Sequence, residues 1–390
     1  MVERDTKSMI KLLIVTSVPS MLSAFLLPFA SHFRNQGWQV DAMAYKISDS
    51  TKCQKGFNHI WDVEWSRNPL VLKNFMNAPS RVKQVVEQGK YDIVHVHTPV
   101  ASFVSRYALN SLRKQGKCKL IYTAHGFHFH PNGNPLKNTI FLILEKLAGA
   151  WTDYLVVINR EDEEAAIRHH LLPKERIRYM PGIGVDLNYY NPYTVSESAL
   201  ARLHQELGIA RENPMFLSVA EFSPRKHHRD ILKAFAKLSR PNVHLAFAGC
   251  GPLLEEMQQL ASDLHIQSQV HFLGSRDDIP TLIRASVATI LASEQEGLPR
   301  CVMESLSLEV PVIGTNIRGT QELLKYGSGL LVEVGDVDGL ASAMDWILKN
   351  PQDAQSMGKH GRKMIEDFYA LSHIIKLHEA LYSEAISKDN

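Results

Sequence analysis

The amino-acid sequence predicts an α/β protein built from two tandem Rossmann-like, doubly wound domains. Short apolar runs alternate with longer amphipathic segments, as βα units require, and this series restarts after about half of the chain. A chain of 390 residues is long enough for two domains that each bury their own core. The composition, 45% hydrophobic and 22% charged, is typical of a globular protein and excludes disordered and fibrous classes.

The first domain is predicted from a series of apolar runs in the N-terminal half. These buried parallel strands are residues 12–16, 91–97, 119–124 and 154–159, and the series ends near 178–180. The turn-rich sequence PGIGVD at 181–186 follows, so the boundary is placed after Gly182. The first domain is therefore expected to span 1–182, and a last helix at about 371–390 is expected to pack back on it.

The second domain, 183–370, is predicted from a second series of strands and intervening helices. The strands are 215–220, 243–248, 270–273, 288–291, 310–314 and 329–332, and the helices are 229–238, 252–264, 337–349 and 353–369. Ligands of open α/β sheets bind outside the carboxyl ends of the strands, so a ligand cleft is expected between the two domains. This arrangement suits a two-substrate transferase and also a bilobal binding protein.

The charge of the chain is unevenly distributed. Up to Gly182 there are 24 Lys and Arg against 15 Asp and Glu, a net charge of +9, whereas the remainder has 19 against 26, or −7. The basic half is expected to face something anionic, such as a membrane surface, unless the asymmetry only reflects solvated surface. A candidate contact combines the apolar residues of 68–76 with the basic residues Arg67, Lys73, Arg81 and Lys83.

One uncharged segment, 12–30, follows two lysines and has the length of a secretory signal. However, Pro19 and Pro28 within it favour a strand, a turn and a buried helix. The four cysteines are widely spaced and are expected to be buried thiols of a reducing compartment. We therefore expect a cytoplasmic protein, peripheral on the inner face of the membrane if the charge prediction holds.

The window 293–312, SEQEGLPRCVMESLSLEVPV, follows a predicted strand and opens a helix. Glu296 lies in the loop, Glu304 lies about two helical turns further on, and Gly297 lets the backbone approach a ligand closely. The amides of Leu298 and of the helix start near Pro299 are expected to bind an anion or a hydroxyl. Alternatively, the two glutamates are solvated residues of a surface helix.

Further candidate ligand-binding residues follow other predicted strands of the second domain. Arg225 and Lys226 follow the strand 215–220 and could neutralise a diphosphate, although a solvated basic turn would look the same. Gly251 belongs to a tight strand-to-helix turn, Gly249-Cys250-Gly251, which is weak evidence for a nucleotide by itself. Arg276 follows the strand 270–273.

In the first domain, histidines end two predicted strands. His95 and His97 are expected to face the same way on one strand, and His125 closes the next. They could ligate a metal, be buried and hydrogen-bonded, or contact an acceptor. Ser17 and Pro19 in the first turn and Thr98 after His97 lie at the same expected edge of the sheet.

The window at 293–313 resembles the E-x7-E signature of the family-4 glycosyltransferases, with matches at Ser293, Glu296, Gly297, Glu304 and the sequence 311–313. The resemblance implies the GT-B fold and a UDP-sugar donor. It further implies that Glu296 contacts hydroxyls of the transferred sugar and Glu304 the ribose of UDP. Carboxylates suit vicinal diols because each oxygen can accept from one hydroxyl.

The same resemblance assigns roles to the other candidates. Lys226 matches the diphosphate lysine, and Arg225 is expected to assist because Glu221 replaces the usual Arg. Donor contacts are expected from Arg225, Lys226, Gly251, Arg276, Glu296, Gly297, Leu298, Pro299 and Glu304. Acceptor-side contacts are expected from Ser17, Pro19, His97, Thr98 and His125. The expected catalytic residues are Glu296, His125 and Lys226.

The resemblance implies a retaining glycosyl transfer without a metal ion or other cofactor. Glu221 and the string AHGFHF at 124–129 resemble the subgroup that builds exopolysaccharide and capsule. The expected reaction moves a sugar, for example an N-acetylhexosamine, from a UDP-sugar to a lipid-linked glycan, with no nucleic-acid partner. A GT-B nucleotide-sugar epimerase and a bilobal sugar-binding protein remain alternatives.

Overall fold

The structure, a computed structural model, describes residues 9–65, 76–129 and 133–387. The chain divides into two compact units: the described residues up to Met180 together with those from Ile375 onward, and Pro181–Ile374. We refer to them as the N-terminal and C-terminal units. Among the described residues, no helix is long and apolar enough to cross a membrane.

The N-terminal unit contains a seven-stranded parallel sheet in the order β3-β2-β1-β4-β5-β6-β7. Its strands are β1 (Lys11–Val15), β2 (Gln39–Ala44), β3 (Ile60–Asp62), β4 (Ile93–His97), β5 (Lys119–Ala124), β6 (Tyr154–Val157) and β7 (Ile177–Tyr179). Strands β1, β4, β5 and β6 are almost wholly buried, as expected of a parallel sheet covered on both faces. The strand order reverses between β1 and β4, which creates a switch point where their carboxyl ends diverge.

Helices connect these strands in the manner of a doubly wound fold. They are α1 (Pro19–Met21), α2 (Leu27–Asn35), α3 (Thr51–Gly56), α4 (Ala78–Gly89), α5 (Pro99–Lys114), α6 (Pro135–Gly149) and α7 (Arg160–Arg168), and a π-helical turn, Leu22–Leu26, joins α1 to α2. The segment 12–30 thus supplies the central strand β1 and most of the helix after it. Its apolar residues, including Leu13 and Phe29, are buried in the core.

The C-terminal unit contains a six-stranded parallel sheet in the order β10-β9-β8-β11-β12-β13. Its strands are β8 (Met215–Val219), β9 (His244–Ala248), β10 (Val270–Phe272), β11 (Ala288–Leu291), β12 (Val312–Thr315) and β13 (Gly329–Val332). Its helices are α8 (Glu197–Leu207), α9 (His228–Leu238), α10 (Leu254–Asp263), α11 (Ile279–Arg284), α12 (Arg300–Ser307), α13 (Thr320–Leu324), α14 (Val337–Lys349) and α15 (Pro351–Phe368). Its switch point lies between β8 and β11.

The last helix, α16 (Leu371–Ser387), contributes its residues from Ile375 onward to the N-terminal unit. Tyr382 is buried there against Phe33, with ring centroids 5.0 Å apart, and its hydroxyl lies 2.6 Å from Nδ1 of His95. Nη2 of Arg178 donates to both carboxylate oxygens of Glu384, at 2.8 and 2.7 Å. This helix is therefore an integral part of the N-terminal unit.

Several elements were not predicted, among them strands β2 and β3, helix α8 and the short helices α3, α11 and α13. Strand β2 has a polar residue in its interior: Asp41 is buried and accepts hydrogen bonds from the hydroxyl of Tyr91 (2.5 Å) and the amide of His59 (3.0 Å). Strand β3 has only three residues, and α8 buries only Leu203. In each case the apolar periodicity was too weak to indicate the element.

All four cysteines are free, but only Cys53 and Cys118 are buried, and Cys250 is exposed because it lies in a surface turn after β9. The expectation of four buried thiols was therefore wrong.

Of the candidate membrane contacts, Arg67, Lys73 and residues 68–75 lie outside the described residues, whereas Arg81 packs over the ring of Trp61 at 5.8 Å.

Candidate functional site

In the C-terminal unit, the loops after the adjacent strands β8, β11 and β12 pack on one another. The amide of Glu294 donates to the carbonyl oxygen of Arg225 (3.0 Å), and the hydroxyl of Thr315 donates to the carbonyl oxygen of Ser293 (2.5 Å). Gly319 has a φ of 74°, and a Cβ there would lie 2.2 Å from the carbonyl oxygen of Gly297. Only glycine permits this close backbone approach, so the three loops form one surface at the switch point.

The centre of this surface is an ion pair between Lys226 and Glu296. Nζ of Lys226 lies 2.5 Å from Oε1 of Glu296, and both side chains are only 11% exposed. Nη1 of Arg225 lies 3.9 Å from the other carboxylate oxygen and donates to the carbonyl oxygen of Gln295 (3.0 Å). Residues 70 positions apart thus meet because β8 and β11 are neighbours.

Glu304 lies inside α12 and is only 7% exposed. Its Oε1 is 2.7 Å from Nε of Arg300, one turn earlier, and the Tyr190 hydroxyl also hydrogen-bonds the carboxylate. Burial raises the pKa of Glu304, although Arg300 and Tyr190 both favour the charged form. The alternative of a solvated surface glutamate is therefore wrong for this residue, which is held in place by two partners.

Three hydroxyl groups on the same loops are buried without a hydrogen-bond partner among the described residues. They belong to Ser223, before Arg225, to Ser293, after β11, and to Thr320, at the start of α13. Buried hydroxyls nearly always form hydrogen bonds, so an unpaired group in a native fold requires an explanation. Their place beside the Lys226–Glu296 pair is consistent with contact to a polar ligand.

The remaining donor-side candidates are distributed around this surface. Pro299 caps the N-terminus of α12, and Leu298 before it is buried. A Cβ on Gly251 would lie 2.5 Å from the carbonyl oxygen of Phe222, so this glycine lets the β9 turn pack on the β8 loop. Arg276 is bound to two carboxylates, Glu206 at 2.5 Å and Asp278 at 2.8 Å, and these interactions raise its pKa.

In the N-terminal unit, Ser17 and Thr98 meet at the switch point between β1 and β4. Their hydroxyl oxygens are 2.7 Å apart, and the amide of Ser17 donates to Oγ1 of Thr98 (3.0 Å). Thr98 has a φ of 63°, a strained conformation for a β-branched residue. Pro19 begins α1, and its carbonyl oxygen accepts from the thiol of Cys53.

The strand-end histidines form a stacked, hydrogen-bonded array beside this point. Nδ1 of His97 is 3.0 Å from Nε2 of His125, and the rings of His95 and His97 stack with centroids 4.3 Å apart. Burial lowers the pKa of His125 to about 4, with a smaller contribution from His378. Burial likewise places the pKa values of His95 and His97 well below their usual range, so all three are neutral at pH 7.

The hydrogen bonds of these histidines give no support to the alternative of a metal site. Both ring nitrogens of His95 are engaged, with the Tyr382 hydroxyl at 2.6 Å and the Thr123 hydroxyl at 2.7 Å. Nδ1 of His97 and Nε2 of His125 are engaged with each other in a hydrogen bond of 3.0 Å. In the described ranges, no group of three or more His, Cys, Asp or Glu residues is arranged to hold a metal ion.

Several residues of these sites were missed at the sequence level. Arg300 could have been found, because Arg and Glu four residues apart on a helix face each other. Arg318, whose Nε lies 3.4 Å from the carbonyl oxygen of Glu296, and Tyr190 gave no local signal. Tyr382 supports His95 from the far end of the sequence, which no motif in either segment indicates.

Comparison with known proteins gives consistent matches over both units. Residues 23–189 match the family described as Glycosyltransferase Family 4, and residues 201–364 match Glycosyl transferases group 1. The EpsD protein of Bacillus subtilis, whose name places it among the glycosyltransferases, is 32% identical over 357 residues. That alignment covers 90% of this chain and 91% of EpsD.

A second relative is named UDP-Gal:alpha-D-GlcNAc-diphosphoundecaprenol alpha-1,3-galactosyltransferase, from Escherichia coli. It is 26% identical over 329 residues, which cover 83% of each chain. Among solved structures, Anabaena Alr3699/HepE in complex with UDP superposes with a TM-score of 0.79. It shares 20% sequence identity over 96% of this chain and 100% of its own. This likeness confirms the predicted fold class, GT-B, with two Rossmann-like units.

Proposed function

Because the chain belongs to the family-4 glycosyltransferases, we propose that it transfers a sugar from a UDP-sugar to a lipid-linked glycan acceptor with retention of configuration. The observation that carries this proposal is the Lys226–Glu296 pair at the switch point of the C-terminal unit. The C-terminal unit binds the donor in this scheme, and the N-terminal unit binds the acceptor. The transferred sugar is a hexose derivative, for example an N-acetylhexosamine, and the product belongs to a surface polysaccharide.

The carboxylates of the C-terminal unit have the chemistry that a nucleotide sugar requires. Glu304 is preoriented by Arg300 and Tyr190, and it accepts hydrogen bonds from the two ribose hydroxyls of the nucleotide. One carboxylate oxygen of Glu296 is paired with the ammonium group of Lys226. The other oxygen, 3.9 Å from Nη1 of Arg225, is able to accept a hydrogen bond from a hydroxyl of the transferred sugar. The Alr3699/HepE structure contains UDP, which supports this choice of donor nucleotide.

Catalysis then requires stabilisation of the departing UDP. Lys226, in the loop after β8, places a positive charge where the diphosphate accumulates negative charge in the transition state. Arg225 is exposed beside it and adds a second cationic contact. In a front-face transfer the protein mainly positions the two substrates and stabilises the negative charge of the departing UDP. We therefore propose that the reaction needs no metal ion. Activity that is unchanged in the presence of EDTA is the expected result.

The acceptor site is proposed at the ends of β1, β4 and β5. His125 is neutral at pH 7 and is oriented by His97, so it can hydrogen-bond an acceptor hydroxyl without introducing charge. The net charge of +9 up to Gly182 suits an acceptor carried on a diphosphate lipid in an anionic membrane. The Escherichia coli relative is named for such an acceptor, diphosphoundecaprenol.

The first test measures donor binding. UDP should raise the melting temperature of the protein because a ligand that binds only the native state stabilises it by RT ln(1 + [L]/Kd). GDP is the matched control, since it carries the same diphosphate and ribose. A larger shift with GDP than with UDP would contradict the choice of nucleobase, and no shift with either would contradict the donor site.

The second test measures transfer to a glycan-diphospholipid acceptor. Glu296→Gln and His125→Ala should lower kcat far more than they weaken UDP binding, because their interactions are made mainly in the transition state. The matched controls are Glu294→Gln, on the same loop, and His128→Ala, three residues after His125; both should retain turnover. Full turnover in the Glu296 or His125 variant would make that residue structural.

The same assay separates the alternatives. Retention predicts that the anomeric configuration of the product, read by NMR coupling constants, equals that of the donor sugar. A nucleotide-sugar epimerase would instead convert the UDP-sugar with no acceptor present. A sugar-binding protein would bind the free sugar and release no UDP.

A further inference from the structure

Helix α6 presents an apolar stripe to solvent. Its four residues are spaced along one helical face, and their exposed fractions are 71, 50, 58 and 49%, for Leu136, Ile140, Ile143 and Leu147 respectively. Exposed apolar residues are ordinary when isolated, but a contiguous row over three turns of one helix marks an interaction site. Nothing in the described part of the chain covers this face.

The basic and acidic residues of α6 lie on different faces of the helix. Lys137 and Lys146 are exposed and flank the stripe on either side. Glu145 lies on the opposite face, where its carboxylate accepts from the Tyr122 hydroxyl (3.1 Å) and pairs with buried Arg106 (3.2 Å). Between Asp92 and Asp153 the sequence contains seven Lys and Arg and only this one acidic residue. The solvent side of α6 is therefore apolar in the middle and cationic at its borders.

A basic cavity adjoins the C-terminal end of the stripe. Its volume is about 610 Å³, and it is lined by Lys146 and Gly149 of α6 and by Leu171, Lys174 and Arg176 before β7. Among the described residues, no acidic side chain lines this cavity. The cavity thus offers cationic groups beside an apolar row.

We propose that α6 docks the N-terminal unit on an anionic lipid bilayer, with the stripe inserted among acyl chains and lipid phosphates near Lys146, Lys174 and Arg176. An interfacial helix requires an apolar face bordered by basic residues, and α6 has both. A second copy of this chain fits less well, because a symmetric contact through α6 would bring the flanking lysines of both copies together. An anionic surface complements them.

This inference rests on the proposed function in one respect: a lipid-linked acceptor must be met at the membrane. Helix α6 begins 10 residues after His125, at the end of the connection that follows β5. Docking through α6 would hold that connection near the bilayer. Vesicle binding needs neither donor nor acceptor, so its failure would leave the glycosyl transfer untouched, and failure of transfer would leave the docking intact.

The first experiment tests the apolar stripe. The full chain is sedimented with phosphatidylcholine vesicles and with vesicles that also contain phosphatidylglycerol, and binding should be stronger to the latter. Ile140→Ser combined with Ile143→Ser should weaken vesicle binding at least tenfold, with an unchanged melting temperature because both side chains are exposed. Phe368→Ser, which removes an exposed phenyl group from the C-terminal unit, is the matched control and should bind as the wild type does.

The second experiment tests the charges. Lys146→Glu combined with Lys174→Glu should weaken binding to anionic vesicles at least tenfold and remove its salt dependence. The matched control, Lys52→Glu with Lys55→Glu on α3, changes the net charge equally and should retain binding. Equal loss in both double variants would show that only net charge matters. Unchanged binding of the α6 variants, or light scattering that shows a dimer dissociated by the Ile140 and Ile143 changes, would overturn the proposal.

Discussion

Replacement of Glu304 should weaken UDP binding without unfolding the protein. Glu304→Ala removes the acceptors proposed for two ribose hydroxyls, a loss of about 1.5–3 kcal/mol for hydrogen bonds to a charged group. That loss corresponds to roughly a 10- to 150-fold rise in Kd. Glu304→Gln keeps one carbonyl oxygen, so it should lose about half of that free energy, or roughly a three- to tenfold rise in Kd.

The structure also indicates how folding responds to these changes. Burial raises the pKa of Glu304, so the folded state disfavours its charged form and stability falls as pH rises through the unfolded and then the folded pKa. A neutral glutamine removes that cost and can still accept from Arg300. Glu304→Gln should therefore be at least as stable as the wild type at pH 7, with a flatter dependence of stability on pH above about 4.5.

Isothermal calorimetry with UDP and urea denaturation at pH 5 and 7.5 are the two measurements. The matched control is Glu366→Gln on α15, because Arg362 and Glu366 repeat the same Arg–Glu pair through Nε at a spacing of four, 2.8 Å apart. That variant should bind UDP as tightly as the wild type. A Kd within twofold of the wild-type value in folded Glu304→Ala would remove Glu304 from the donor site.

Two other predictions follow from the geometry. The pKa of His125 is about 4 against an ordinary value of about 6.5, so the unfolded chain takes up its proton first and stability falls between pH 6.5 and 4. His125→Phe should reduce this loss of unfolding free energy by about 3 kcal/mol, measured by urea denaturation at pH 4. His360→Phe, at an exposed position, should leave the loss unchanged. Equal losses of unfolding free energy in the two variants would refute the assigned burial of His125. Gly319→Ala should weaken UDP binding and lower the melting temperature, because its Cβ would meet the Gly297 carbonyl, whereas Gly335→Ala has a similar φ in open space and should only add strain. Equal effects of the two glycine changes on UDP binding would contradict the close approach at 319.

The sheet topology was largely predictable because most strands are buried on both faces and read as uninterrupted apolar runs. Strands β4, β5, β6 and β11 were predicted within two residues of their observed bounds. Strand β2 was missed because it contains a buried carboxylate, Asp41, which accepts hydrogen bonds from distant segments, including the hydroxyl of Tyr91. The apolar periodicity of a sequence gives no information about such partners. The C-terminal boundary of β12 was better predicted than its start.

The candidate sites were predictable in their location and less so in their pairings. Ends of parallel strands meet at one edge, so the sequence could place Lys226 near the window of Glu296. The two side chains form an ion pair because β8 and β11 are neighbours in the sheet, although they are far apart in the sequence. The histidines show the same limit: the shared face of His95 and His97 was predicted, but the hydroxyl of Tyr382, 287 residues away, was not.

The path of α16 has a consequence for the order in which the protein can be built during translation. A ribosome releases the strands β1 to β7 long before it adds Tyr382, yet Tyr382 fills the space beside Phe33 and hydrogen-bonds His95. Until then the nascent N-terminal sheet lacks this buried ring and the carboxylate of Glu384 on Arg178. The N-terminal unit, although its strands are synthesised first, therefore cannot reach its final packing until Tyr382 has been added, whereas all six strands of the C-terminal sheet have been synthesised before that point.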